Sequence, residues 1–366
     1  MTKKIALNRL LTTAAEDIAS CNLEGNPAVF TSNQWVASSL LQKAIRRGHL
    51  YAARQAGRFL LEVKREHLFR RLNAIAAEDI GLGDIQTVGI TAACLASAKV
   101  RRDLGGEEVV TDYLIRRMVD APKSRAADDL LMIVERWPGL VEDRAHFSMM
   151  SNDRLRQIVL GCPSLDRKAL ALWNLVGTAR CASLHLPTRR GDPVMAFETL
   201  AELGVPPTLL AIAQENFTKT VSMLAPFVAL LSLENDMVTP RTSNDCTPVE
   251  TLIRGVPSWA YDMYTRPGRA ALGRLLKQEA GMVVWSNEFL PRSNRVQVVG
   301  ELLFRLEGQC LARRVAGPLG ASLSDRWERE CSDLTHEALA VGLEALQTAM
   351  PTLNIIRAKI VTEGAV

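Results

Sequence analysis

The residues best suited to chemistry are concentrated in the stretch Arg254-Gly255-Val256-Pro257-Ser258-Trp259-Ala260-Tyr261-Asp262-Met263-Tyr264-Thr265-Arg266-Pro267-Gly268-Arg269. Its three aromatics stand in a chain that is only 5% aromatic, and a carboxylate lies among them. That grouping suits an unstacked nucleobase. Trp259, Tyr261 and Tyr264 would stack on it or wedge into a base step, and Arg266 and Arg269 would hold flanking phosphates. Asp262 would polarise a water or stabilise positive charge developing on a sugar, the chemistry that removes a flipped base from DNA. This reaction needs no metal and no nucleotide, so no cofactor is expected. Thr265 suits an N-cap, with Arg266 and Pro267 in the first helical turn. Arg266 and Arg269 are three apart and share a helical face. Cations at a helix start oppose the macrodipole, so an anion should stand near them. A phosphate is one candidate. Asp262 is the other, and in that reading it pairs with Arg266 or Arg269 and pins the loop as a structural ion-pair network.

Other chemistries find less support. Asn235, Asp236, Asp245, Asn287 and Glu288 are secondary candidates for polar pocket walls, but such residues commonly build turns. No G-x-S-x-G, Cys–His pair or kinase signature is present, which disfavours acyl and phosphoryl transfer. The seven cysteines are odd in number and form no C-x-x-C pair, and the five histidines are scattered. They read as reduced thiols of a cytoplasmic protein without a metal site. Lys3 and Lys4 precede an apolar run that breaks at Asn8 and Arg9, which is unlike a signal peptide. Val221–Leu233, the most apolar stretch, contains Pro226 and is too short to span a bilayer, so it reads as a buried core helix and no membrane partner is expected.

The elements that must position these residues are helices. The 366 residues are 48% hydrophobic, enough for a sizeable core, and long Ala/Leu/Arg/Glu-rich stretches predict an all-α fold of two or three helical subdomains. The net charge of +4 is too small to indicate a nucleic-acid binder, but 34 of the 44 basic residues are Arg, whose planar fork suits phosphate. A short helix should open the chain and end in a loop around Gly25-Asn26-Pro27. Helices with short connectors follow from Ser38 to about Arg136. Gly81-Leu82-Gly83-Asp84 stops a helix whose Leu68, Leu72, Ile75 and Ile80 have helical spacing. Trp137-Pro138-Gly139 marks a boundary. The expected division is 1–37, 38–139 and 140–366, with a sub-boundary near 185–193. Glu234–Pro248 is the longest irregular stretch, and long loops in helical domains are commonly functional.

One segment carries a family pattern. Leu41-Gln42-Lys43-Ala44-Ile45-Arg46-Arg47-Gly48 is followed by Leu68-Phe69-Arg70-Arg71-Leu72 and then by Ala77-Glu78-Asp79-Ile80-Gly81-Leu82-Gly83-Asp84. This order resembles the C-terminal helical part of the replication-associated recombination protein A family. These are clamp-loader-like AAA+ ATPases that include the Werner helicase-interacting protein. The resemblance covers roughly residues 38–136. It implies a helical oligomerisation or collar unit in a DNA-processing protein, with a homo-oligomer among its outcomes. The sequence has no G-x-x-x-x-G-K-[ST] and no ATPase module ahead of Ser38, so ATP hydrolysis is not carried over. Glu78 and Asp79 should form structural ion pairs with Arg70, Arg71 or Arg47. Arg46, Arg47, Arg70 and Arg71 would touch phosphate or form a solvated face.

Two functions follow as expectations, both with DNA as partner. One is a cofactor-independent base-excision enzyme of the DNA glycosylase type, in genome maintenance or in antiviral defence against modified foreign DNA. The other is a non-enzymatic DNA-binding or replication-fork factor.

Overall fold

The computed structural model describes residues 3–20 and 33–363, so the expected loop at Gly25-Asn26-Pro27 lies outside the described residues. The all-α expectation holds: eighteen α-helices are described, and a hairpin of two two-residue strands is the sheet among the described residues.

The described residues form two compact units, each assembled from three separate stretches. The first takes Met1–Gly25, Glu66–Ser243 and Arg313–Ser332, and the second takes Asn26–Arg65, Asn244–Ala312 and Asp333–Val366. This differs from the contiguous division expected at 37 and 139, and it cuts the 38–136 segment in two. The cut falls beside Lys64, whose φ of −152° and ψ of 55° interrupt the helical run Leu50–Ile75. No Pro or Gly stands at Lys64 to announce that break. Amphipathic spacing shows that a helix needs a partner. It does not say which helix, near or far along the chain, supplies it.

The first unit closes around Leu130, Ile133, Phe147, Leu170, Trp173 and Phe227. The apolar helix Leu224–Leu231 is buried along its whole length, as its composition required. In this unit Ala76–Ile80 winds as a π-turn, and Asp79 within it is fully buried. Its partner is Arg125, whose Nη1 lies 2.5 Å from Asp79 Oδ1 and 3.1 Å from Glu78 Oε1. The structural ion pair is therefore present, but on Arg125 instead of Arg70, Arg71 or Arg47. The guanidinium also meets Asp128 one turn into the next helix.

The second unit carries the segment Arg254–Arg269. Its core joins Leu272, Leu275, Trp285, Val299 and Leu302 to one face of the long helix His336–Glu363, built from Leu339, Leu346, Ala349, Leu353 and Ile356. That helix is long and apolar enough to cross a membrane by length and composition, yet it packs on Arg266–Gln278, Ala280–Phe289 and Arg295–Leu303 within the unit. It also buries Arg357, which pairs with Glu307 at 2.5 Å.

Candidate nucleic-acid site in the second unit

The helix Gln34–Arg47 provides one wall. Asn33 caps it by accepting from the N–H groups of Trp35 and Val36, and Gly48 closes it in the left-handed conformation at φ 76°. Ser39 and Lys43, four apart, project from one face, and Arg46 and Arg47 follow one turn later. All four are buried.

The segment Leu252–Arg269 provides the opposing wall. Leu252–Ile253 and Val256–Pro257 pair around Arg254-Gly255, which both take positive φ (51° and 76°), the requirement of a tight two-residue hairpin. A 3₁₀ turn, Ser258–Ala260, follows and drives Trp259 inward. Asp262 Oδ1 then accepts from the Tyr264 N–H at 2.9 Å, and Thr265 Oγ1 donates to the Asp262 carbonyl. Thr265 caps the helix Arg266–Gln278 by accepting from Gly268 N, as its sequence position predicts.

The walls meet at Asp262. Its Oδ2 accepts from Lys43 Nζ at 2.7 Å and from Ser39 Oγ at 2.8 Å. Lys43 Nζ also donates to the Trp259 carbonyl at 2.6 Å. Burial favours the neutral carboxyl, but the Lys43 charge, reinforced by hydrogen bonds from Lys43, Ser39 and the Tyr264 N–H, outweighs it and holds Asp262 below the usual carboxylate range. The adjoining void, about 10 Å³, has room for one water at most. An internal ion pair of Asp262 was one of the two sequence readings, with Arg266 or Arg269 as partner. The cation is Lys43 instead.

The aromatic trio divides. Trp259 is 1% exposed and Tyr261 is also buried, so neither presents a ring face to a base. Tyr264 is 73% exposed, and Arg266 and Arg269 are exposed beside it in sequence. Arg46 and Arg47 do not form a phosphate-facing edge. Arg46 Nη1 donates to the Gly308 carbonyl at 2.7 Å, and Arg47 Nη2 donates to the Glu307 carbonyl at 2.6 Å. Arg70 and Arg71 belong to the first unit. Arg70 is exposed there, and Arg71 keeps Nε buried without a hydrogen-bond partner. Of the secondary candidates, Asn287 accepts from Arg295, whereas Asp245 belongs to a cavity.

That cavity, about 440 Å³, opens between the end of Gln34–Arg47, the loop 244–250 and Leu311-Ala312. The loop is tied down by paired bonds, Asp245 N–H to the Leu311 carbonyl and Leu311 N–H to Asp245 Oδ2. The wall contains Arg47, His49 and Glu250. The sequence offers Arg47 to phosphate, to a solvated face or to Glu78 and Asp79, and carries no motif that singles out His49 and Glu250. Sequence reasoning also passes over Lys43, though a lysine amid Leu40, Leu41, Ala44 and Ile45 was the available signal for a buried cation in need of an acid. Among the described residues no group of three or more His, Cys, Asp or Glu side chains is arranged to hold a metal ion. Comparison of the chain with protein-family models, with curated proteins and with solved structures gives no match.

Proposed function

We propose that this protein is a non-enzymatic DNA-binding factor that acts without ATP, and that the second unit carries its contact surface. The observation supporting this is the exposure of Tyr264 at the head of a helix whose first turn carries exposed Arg266 and Arg269. A large aromatic at the surface offers a stacking face to a base, and adjacent guanidinium groups offer bidentate donors to phosphate. The order of motifs in residues 38–136, similar to a DNA-processing family, points the same way. The base-excision alternative asks Asp262 to face a sugar, whereas its carboxylate is taken up by Lys43, Ser39 and the Tyr264 N–H.

Fluorescence anisotropy with labelled single-stranded and duplex DNA, titrated across salt, tests this. Affinity should fall steeply with salt through counterion release and be indifferent to ATP. Arg266→Ala and Arg269→Ala should each weaken binding across sequences and reduce the salt slope by about 1. Tyr264→Ala should cost about 1–3 kcal/mol on single strands. No binding to any DNA at low salt, or binding that requires nucleotide, overturns the proposal. Abasic sites formed in normal or modified DNA by the wild-type protein would restore the enzymatic alternative.

A further inference from the structure

The buried Trp259 serves a purpose that its inaccessibility to DNA does not remove. Three of its contacts reach groups in the wall of the 440 Å³ cavity. Its indole N–H donates to Glu250 Oε2 at 2.8 Å. The Arg47 guanidinium lies over its ring, 5.0 Å from the centroid. The His49 ring meets it edge-on at 5.9 Å and 66°, and His49 Nδ1 is also 3.6 Å from Glu250 Oε2. One immobile indole thus fixes a strong donor, an imidazole and a carboxylate acceptor on the same wall. Groups held against a buried ring in this way lose less freedom when a ligand arrives.

The chemistry of the wall narrows the occupant. Arg47, whose Nη2 is held by the Glu307 carbonyl, has further N–H groups to donate to an acceptor, and Glu250 accepts from a donor. Val249, exposed on the wall, adds apolar surface on which a ring can rest. A flat ring with a carbonyl and an exocyclic amine along its edge satisfies both polar groups together. Among nucleobases this describes cytosine and guanine. Guanine oxygen is a recognised partner of arginine, and the cytosine amine of carboxylates, while thymine has no exocyclic amine to offer. The volume lies within the range of small-ligand cavities.

We infer that the cavity bordered by Arg47, His49, Glu250 and Asp245 is a binding pocket for a single amino-bearing nucleobase, cytosine or guanine. The choice of a base as ligand rests on the DNA-binding reading above; the existence of a preorganised donor–acceptor pocket does not. The base comes either from an unstacked position in a strand or as a free nucleoside, since both present the same edge.

Isothermal titration with deoxycytidine, deoxyguanosine and thymidine is the test, because uncharged nucleosides avoid phosphate contacts elsewhere. Saturable binding of deoxycytidine or deoxyguanosine at least tenfold tighter than thymidine is expected. Glu250→Gln keeps the side chain's shape and an oxygen for the Trp259 N–H, and it should weaken that binding at least tenfold. His49→Ala, with folding checked by circular dichroism, gives a second wall variant with the same expected direction. A cytosine or guanine homo-oligonucleotide that binds more tightly than its nucleoside, and more tightly than a thymine one by a margin that Glu250→Gln removes, identifies a strand as the source; no such margin, with nucleoside binding retained, identifies the free nucleoside, and either supports the pocket. Absence of nucleoside binding in a protein that still binds DNA overturns this inference alone. Nucleoside binding in a protein that binds no DNA overturns only the DNA-binding proposal. Preference for thymidine, or for a free amino acid over every nucleoside, also overturns the inference.

Discussion

Lys43 and Asp262 are an ion pair whose partners are 219 positions apart in the chain, with Lys43 buried and Asp262 half-buried. Removing one member of such a pair leaves the other charge without compensation, at about 3–5 kcal/mol, whereas replacing both with apolar groups of similar volume is often close to neutral. Asp262→Asn should therefore lower the melting temperature clearly, and Lys43→Met combined with Asp262→Leu should recover most of the loss. Arg269→Ala should leave stability nearly unchanged, because Arg269 does not hold Asp262. Thermal melts of the three variants beside wild type check this, and an Asp262→Asn protein as stable as wild type would remove the structural role. The sequence offered an internal cation for Asp262 as one of two readings. It could not choose among the many basic side chains, because the choice depends on which helix is packed opposite.

At the scale of elements, the start of the helix Arg266–Gln278 is held by contact as well as by capping. A Cβ built on Gly268 would stand 2.0 Å from the Asp262 carbonyl oxygen and 2.5 Å from that of Tyr261, both of them backbone atoms that cannot swing aside. Gly273, in the same helix, has open space around the corresponding position. Gly268→Ala should destabilise by about 1–3 kcal/mol through overpacking. Gly273→Ala should instead stabilise by about 0.5–1 kcal/mol through helix propensity. Urea midpoints of the two variants should move in opposite directions. The cap itself was readable from Thr265 and Pro267, since capping is a local bond between near neighbours. The close approach of Gly268 to the preceding turn was not, because it depends on how Asp262 is drawn toward Lys43.

For the whole molecule, stability against pH should carry the mark of Asp129. This side chain is buried in the helix Ala126–Arg136, and burial pushes its carboxyl up to about 7, opposed by Arg125 and assisted by Asp128. The folded protein then keeps a proton that the unfolded chain releases above its ordinary value of 3.8. Stability from this group is greatest below about pH 4 and falls as pH rises toward about 7, by about 1.4 kcal/mol per unit across that window. Asp129→Asn should flatten the decline. Chemical denaturation at pH 5, 6, 7 and 8 measures it, and a wild-type protein equally stable at pH 5 and 7 would contradict the assignment.

The sequence by itself determined the helical class, the core helix around Phe227, the irregular stretch after Leu233 and the cap at Thr265. Each of these is written in periodicity, composition or bonds between close neighbours. It also marked Trp259, Tyr264 and Asp262 as unusual. Only the tertiary structure decided that Trp259 faces inward while Tyr264 faces out, that Lys43 answers Asp262 and Arg125 answers Asp79, and that Arg47, His49 and Glu250 converge on one indole. It also decided that each unit is assembled from three stretches of chain. All of these depend on contacts between residues far apart in sequence. Helical periodicity identifies the face that must be buried, but the partner is settled by shape and charge across the packed interior.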